Sequence, residues 1–370
     1  MPPLRADVDE LFRGQNRLRL LITGGAGFIG ASLAVGLQTR HDDWDVVCLD
    51  NLRRRGAELN LPRLRAAGVA FVYGDVREAA DLEAVGVFDA VVECSAEPSA
   101  LAGTVGDTRY VVHSNLMGAY NVLDLARRHA AQLVFLSTSR VYPVAALGAV
   151  SYRDEGTRFA LLDDQALAGV SAAGISEAFP LEGARTLYGA TKLAVELLVA
   201  EYAAAFGLRT VVNRCGVVAG PWQMGKVDQG VFTYWLLCHY FGRDLAYIGY
   251  GGSGKQVRDV LHVADLVDLV DEQLLAPERW SGVTVNVGGG GDCSLSLIEA
   301  TAICEELTGR RVPITRVEEP RPGDVPIYVS DCRRLASLSS WRPTRSPRAV
   351  LEDTLDWIAG NERDLLAALG

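Results

Sequence analysis

The sequence holds no apolar run close to the roughly 20 residues that a membrane-spanning helix requires. Residues Met1 to Arg17 are polar and charged, with no apolar core ahead of a small-residue cleavage site, so a short surface extension is expected there rather than a secretory signal. Basic residues are also short: 36 Lys and Arg stand against 46 Asp and Glu, a net charge of −10. That balance excludes the broad basic face of a non-specific nucleic-acid binder, while a few local arginines still suffice for an anionic small molecule. The seven cysteines, at 48, 94, 215, 238, 293, 304 and 332, are far apart and form no C-x-x-C pair. The five histidines do not cluster with them, so neither a disulfide framework nor a metal site is indicated. Reduced core cysteines in a cytoplasmic protein are the expectation. Internal repeats and low-complexity tracts are missing as well.

What is present is apolar: 49% of the 370 residues, enough for a sizeable core in one large or two modest domains. Six short aliphatic runs recur over the first two hundred residues: 18–23, 46–49, 69–73, 90–92, 133–137 and 210–213. Each is continuous rather than alternating, as a parallel strand covered on both faces reads. Helix-like segments lie between them, with Ile29, Leu33 and Leu37 spaced by four, as are Leu116, Tyr120 and Asp124. Alternating β and α units predict an α/β fold with a Rossmann-type, doubly wound parallel sheet. Beyond about residue 215 the rhythm weakens and turns appear at 320–326 and 343–347, which predicts a smaller mixed α/β domain. The run 259–271 reads as a strand and helix returning to the first domain.

The first motif is Thr23-Gly24-Gly25-Ala26-Gly27-Phe28-Ile29-Gly30, between an apolar strand and a helix. Gly24, Gly27 and Gly30 have the G-x-x-G-x-x-G spacing that lets backbone approach a pyrophosphate at a helix N-terminus. Asp50 closes the next strand, 20 residues after Gly30, where a carboxylate accepts the ribose hydroxyls of NAD and repels the extra phosphate of NADP. Arg53, Arg54 and Arg55 follow; a guanidinium there could accept that phosphate, or the three form a solvated loop. Asp75 ends a later strand, either bonding the adenine edge or capping the next helix.

Tyr188 and Lys192 lie four apart on a segment rich in helix formers, hence on one helix face. An ammonium beside a phenol favours the phenolate, which can take a proton from a sugar hydroxyl. Thr138 ends the run 133–137, at the carboxyl edge of the sheet where ligands bind, so its hydroxyl can hold the substrate oxygen next to Tyr188.

Together, Gly24–Gly30, Asp50, Asp75, Asn115, Thr138 and the Tyr188/Lys192 pair make the chain similar to the extended short-chain dehydrogenase/reductase family of sugar-nucleotide epimerases and dehydratases, over nearly the whole length from about Arg17. The resemblance implies NAD as cofactor, held by Gly24, Gly27, Phe28, Ile29, Gly30, Asp50, Asn51, Asp75, Val76 and Ser95 with Tyr188 and Lys192. It implies Thr138, Tyr188 and Lys192 as the catalytic trio, and Asn115 as a supporting helix residue. It places a nucleotide-diphosphate sugar, CDP- or UDP-linked, against Thr138, Asn115, Gln229, Arg258 and Arg321. Arg258 and Arg321 match positions that hold the diphosphate; a structural ion pair is the alternative for each. Domain expectations follow: an extension at 1–17, an NAD-binding domain at 18–214 with a return at about 257–290, and a nucleotide-sugar domain at 215–256 and 291–370. Relatives pair the helix after Asn115 with the 188–206 helix across a dimer axis, so a homodimer or tetramer is implied. Leu193, Leu197 and Leu198 with Val122 and Leu123 are the candidates, for that interface or for the core.

Dehydrating members carry an Asp-Glu pair after the position of Thr138, and decarboxylating members a Glu; here Ser139-Arg140 follows, with no acid. The stretches 50–56, 137–142, 228–230 and 254–262 are similar, within the family, to CDP-paratose (CDP-tyvelose) 2-epimerases. That implies an isomerase: hydride passes from C2 to NAD and returns to the other face of the keto sugar. UDP-hexose 4-epimerisation uses the same trio; a net nucleotide-sugar dehydrogenase or reductase and a non-catalytic NAD-sensing protein are the other readings. Two positions depart from the family. Glu93 stands where a histidine is usual, and Val217 where an asparagine would contact the substrate. The stretch 179–184 is expected to border the sugar pocket.

Overall fold

The computed structural model describes residues 17–99, 101–103, 107–225 and 229–369. The expected surface extension therefore lies, up to residue 16, outside the described residues, as does Asp228 of the 228–230 stretch.

Two sheets carry the architecture. Their strands, in chain order, are β1 (Arg19–Thr23), β2 (Asp45–Asp50), β3 (Ala70–Tyr73), β4 (Ala90–Glu93), β5 (Gln132–Thr138), β6 (Thr210–Cys215), β7 (Val217–Ala219), β8 (Val257–His262), β9 (Val283–Val287), β10 (Ser294–Ser296) and β11 (Ile327–Tyr328). The helices that matter most are α1 (Phe28–Arg40), α2 (Ala119–His129), α3 (Leu187–Phe206) and α4 (Val263–Leu275). The first sheet has the order β9-β6-β5-β4-β1-β2-β3 and is parallel throughout, a Rossmann-type doubly wound sheet.

The continuous apolar runs are explained by burial from both sides. Along β1, Leu20 and Ile22 pack into one core layer with Leu33 and Leu37 of α1, and Leu21 packs into the other with Val122 and Leu123 of α2. Each such side chain stabilises the fold by about 1.5–3 kcal/mol through burial. β3 is an exception: it is one of the two edges of the sheet, and Tyr73 is 71% exposed. Strand order reverses at β1, between β2 and β4, which opens a crevice above the carboxyl ends of these strands.

The second sheet is mixed: β7 pairs β8 in parallel, β10 pairs β8 antiparallel, and β11 pairs β8 in parallel. Here the structure corrects the reading of 259–271. The strand does not rejoin the first sheet; β8 is the centre of the second one. Only the helix returns: α4 packs on α1 so closely that a Cβ at Gly36 would sit 2.7 Å from a methyl of Val267. The strand that does return is β9, beside β6. Its sequence, Val-Thr-Val-Asn-Val, alternates and so differs from the continuous runs of its neighbours.

Of the row Leu116, Tyr120, Asp124, only Leu116 packs against the core. Tyr120 is exposed and Asp124 pairs with Arg127 and Arg128, whereas Val122, Leu123, Leu125 and Ala126 are buried. The turn before α2, His113–Gly118, is a π-helical widening that shifts the face. Val122 and Leu123 thus belong to the core, and Leu193 and Leu198 pack against core clusters. Of the five candidates for an interface, Leu197 is the exposed one; Met117, Tyr120 and Phe206 are exposed as well.

Candidate active site

A cleft of about 700 Å³ runs across the carboxyl edge of the first sheet and down to the second. Its lining brings together the glycine motif (Gly24, Gly27, Phe28, Ile29, Gly30), Asp50, Asn51, Asp75, Val76, Ser95, Thr138, Tyr188, Lys192, Gln229, Arg258 and Arg321. Asn115 is absent from it. The Asn115 amide is fully buried and spends itself on one residue, Oδ1 accepting from Glu97 N at 2.7 Å and Nδ2 donating to Glu97 O at 3.1 Å. It holds the loop after β4. The 179–184 stretch does not line the cleft either. Phe179 is buried, with its ring edge-on to Tyr142 at 5.8 Å.

At the first end, the turn from β1 into α1 is a cradle with no room for side chains. Gly24 has φ +62°, and a Cβ on Gly30 would lie 2.3 Å from Gly24 O. Asp50 stands beside it, its carboxylate accepting from Ala26 N at 3.1 Å and Leu52 N at 2.8 Å. Burial raises its pKa against those two donors. Asn51 Nδ2 donates to Asp75 at 2.8 Å, and Arg77 clamps the same carboxylate, holding its pKa down at about 2. The three arginines after Asp50 are engaged with the protein. The Arg53 guanidinium lies 4.0 Å over the Tyr110 ring, Arg54 donates to Gln229 Oε1 and Arg55 to Ala367 O. The tight glycine turn at a helix N-terminus, the ribose-side carboxylate and the narrow slot between them fit a dinucleotide.

In the middle, Thr138 ends β5 and Tyr188 opens α3, whose N-cap is Thr186 through a bond from Gly189 N. The Thr138 hydroxyl favours the phenolate form of Tyr188, and Oγ1 accepts from Arg140 N at 3.2 Å. The spacing of Tyr188 and Lys192 promised an ammonium that lowers the phenol's pKa. The structure shows the reverse balance: burial pushes Tyr188 up to about 12, with Thr138 and Arg140 as the opposing influences. Lys192 is 2% exposed and its Nζ donates to Leu136 O at 2.9 Å, above the Phe135 ring. Burial lowers its pKa, and Glu93 is the first influence acting against that. Glu93 itself is buried at the end of β4; Thr23 Oγ1 donates to one of its oxygens and the other has no partner among the described residues. Its pKa is pushed up to about 7 by burial.

At the far end, Arg258 on β8 meets Asp324 at 2.8 Å, and its terminal nitrogens also donate to Val257 O and Val325 O. The ion-pair alternative for Arg258 is therefore present. Arg140, given no role from sequence, also lines this end, as do Tyr234, Asp244, Leu245 and Ile248. Arg140 was legible in principle, standing two residues past Thr138. Leu245 and Ile248 read as an ordinary apolar strand, and only tertiary packing brings them to the cleft.

A parallel sheet with a dinucleotide cradle at its switch point and a buried Thr/Tyr/Lys group above the next strand defines a Rossmann-type enzyme of the short-chain dehydrogenase/reductase kind. The sequence model of the NAD dependent epimerase/dehydratase family matches residues 20–288, and the chain belongs to that family. It is 30% identical over 357 residues to a CDP-paratose 2-epimerase of Salmonella typhi, spanning 92% of this chain and 99% of that protein. It is 29% identical to a dTDP-glucose 4,6-dehydratase of Mycolicibacterium smegmatis, over 93% and 94% of the two chains. Among solved structures, the Thermus thermophilus UDP-glucose 4-epimerase complexed with NAD superposes with a TM-score of 0.73 at 27% identity, over 93% of this chain and 99% of that one. NAD is the cofactor of this family, and the cradle described above fits it.

Proposed function

We propose that this protein is an NAD-dependent epimerase of a nucleotide-linked sugar, an isomerase, with 2-epimerisation of the CDP-paratose type as the leading reading. One observation carries epimerisation over dehydration. Removing water needs an added acid and base beside the sugar, and the position after Thr138 offers Ser139 and Arg140 instead. The cleft's described carboxylates are Asp50, Asp75, Asp244 and Asp324: the first two stand at the cofactor end, Asp244 is exposed, and Asp324 is paired with Arg258. The similarity to the Salmonella typhi 2-epimerase supports the finer assignment; 4-epimerisation of a UDP-hexose, with the same trio, is the second reading, favoured by the likeness to the UDP-glucose 4-epimerase structure.

On this proposal NAD supplies a hydride acceptor that becomes the donor of the same hydride. Thr138 Oγ1 binds the sugar hydroxyl and hands its proton towards Tyr188, the base. Lys192, anchored on Leu136 O, keeps a positive charge close to that exchange as the phenolate forms. The keto sugar turns within the cleft and Tyr188 returns the proton, so net redox is zero. Exposed Met117, Tyr120, Leu197 and Phe206 support a homodimer built on α2 and α3. Seven free cysteines suit the reducing cytoplasm.

The test is incubation with CDP- and UDP-sugars in deuterated water, followed by NMR. Inversion at one carbon without solvent deuterium supports the hydride route, and deuterium at that carbon refutes it. Tyr188→Phe should lose at least a hundredfold in turnover; an unchanged rate removes Tyr188 from the mechanism. Heat-denatured protein should release NAD or NADH.

A further inference from the structure

Arg140 is fixed to both halves of the catalytic group. Its N–H donates to Thr138 Oγ1 at 3.2 Å, and its carbonyl lies against Gly189, the residue after Tyr188. Its guanidinium lines the cleft and makes one hydrogen bond among the described residues, from NH1 to Gly323 O at 2.8 Å. Of the two carboxylates lining this end, Asp324 is paired with Arg258 and Asp244 is exposed. Burial first and Arg258 second act against the charge of Arg140, with Asp324 and Tyr188 acting for it. A guanidinium has five N–H donors, and a charge drawn out of water with one neutral acceptor is costly. The remaining donors have no hydrogen-bond acceptor among the described residues, and Asp324 is the carboxylate that acts in favour of this charge.

We propose that Arg140 is a substrate ligand that binds an anionic oxygen group on the sugar side of the nucleotide sugar, either the phosphate bonded to the sugar or a carboxylate carried by the sugar. This deepens the epimerase reading and rests on it. Arg258, with its terminal nitrogens engaged, then serves to hold the Arg321–Asp324 turn in place, and Arg140 is the guanidinium with donors to give. A planar fork gripping two oxygens beside Tyr188 fixes which hydroxyl lies over the phenol, a task for arginine rather than lysine.

The experiment is calorimetric titration of the NAD-loaded protein and its Arg140→Met and Arg140→Lys variants, each checked by thermal melting, with CMP, UMP, CDP, UDP, a neutral CDP-hexose, UDP-glucose and UDP-glucuronate. If the sugar-linked phosphate is the ligand, Arg140→Met weakens every diphosphate roughly ten- to a hundredfold and leaves the monophosphates unchanged. If a sugar carboxylate is the ligand, the loss falls on UDP-glucuronate and spares UDP-glucose. Arg140→Lys should recover part of either loss. Equal affinities in wild type and a folded Arg140→Met overturn this proposal and leave the epimerase reading standing. Failure of the wild type to bind any nucleotide sugar overturns both. If Arg140→Met does not fold, the comparison is carried by Arg140→Lys, and wild-type affinity for every ligand together with an unchanged calorimetric enthalpy overturns the proposal.

Discussion

The carbonyl oxygen of Arg140 fills the place where a side chain on residue 189 would begin: a Cβ on Gly189 would lie 2.0 Å from it. The loop carrying Thr138 and the first turn of the helix carrying Tyr188 are therefore seated directly on one another. Gly189→Ala must push them apart, because the obstacle is backbone. Overpacking of this kind costs about 1–3 kcal/mol, and turnover should fall at least tenfold as Thr138 leaves Tyr188. Gly148→Ala, with nothing within 4 Å of the added methyl, is the control and should melt at or above the wild-type temperature.

Tyr188 should impose an alkaline rise on catalysis. Its pKa is pushed up to about 12, so at neutral pH the phenol is protonated and the base form is scarce. The rate of the oxidative half-reaction should climb with pH from neutral into the alkaline range. Thr138→Val removes the hydroxyl that favours the phenolate, so it should move the rise to higher pH and lower the neutral rate. A flat profile from pH 6 to 9 in single-turnover measurements would count against Tyr188 as the base.

Glu93 sets a second pH dependence, on stability. A buried acid whose folded pKa, about 7, exceeds its ordinary 4.5 binds more protons folded than unfolded between those values. Stability from this group is thus full below about pH 4.5 and falls as pH rises towards 7, by at most about 3 kcal/mol. Melting temperatures at pH 5 and 8 should differ in that direction, and Glu93→Gln should shrink the difference.

One helical turn beyond Lys192, Glu196 and Arg214 form a buried pair at 2.7 Å, their side chains 6% and 7% exposed. Ser137 donates to Glu196, and Arg214 donates to the Tyr142 hydroxyl. Glu196→Gln strands a charge in the core and should cost about 3–5 kcal/mol in urea unfolding. Replacing both partners by apolar residues of similar size should restore much of it.

Leu197 is 67% exposed on α3, and Tyr120 and Phe206 are exposed as well. If the proposed dimer uses this face, Leu197→Glu should give a monomer by light scattering while its circular dichroism stays unchanged.

Much of this was legible in sequence because period and position carry it. The continuous runs at 18–23 and 133–137 announce strands buried on both faces, and the glycine triplet and Asp50 sit where a βαβ unit must meet a dinucleotide. What escaped has physical causes. β9 alternates, so it did not read as a buried parallel strand. The π-helical turn at 113–118 rotates the face of α2, which misdirects any count by fours. Asn115 and Phe179 are polar or aromatic residues near the site in sequence, yet each is consumed by a neighbour. Charge balance was the least legible, since Arg140, Arg258 and Asp324 come together only after three distant segments meet.

The segment from Val257 to Leu275 has a consequence for how the molecule comes apart. Its strand is the centre of the second sheet, and its helix is wedged against α1 beneath the first. Neither half can melt without stripping this shared piece from the other. Heating should therefore give one calorimetric transition, with the van't Hoff and measured enthalpies in agreement, and a chain cut after residue 256 should yield no independently folded cofactor half.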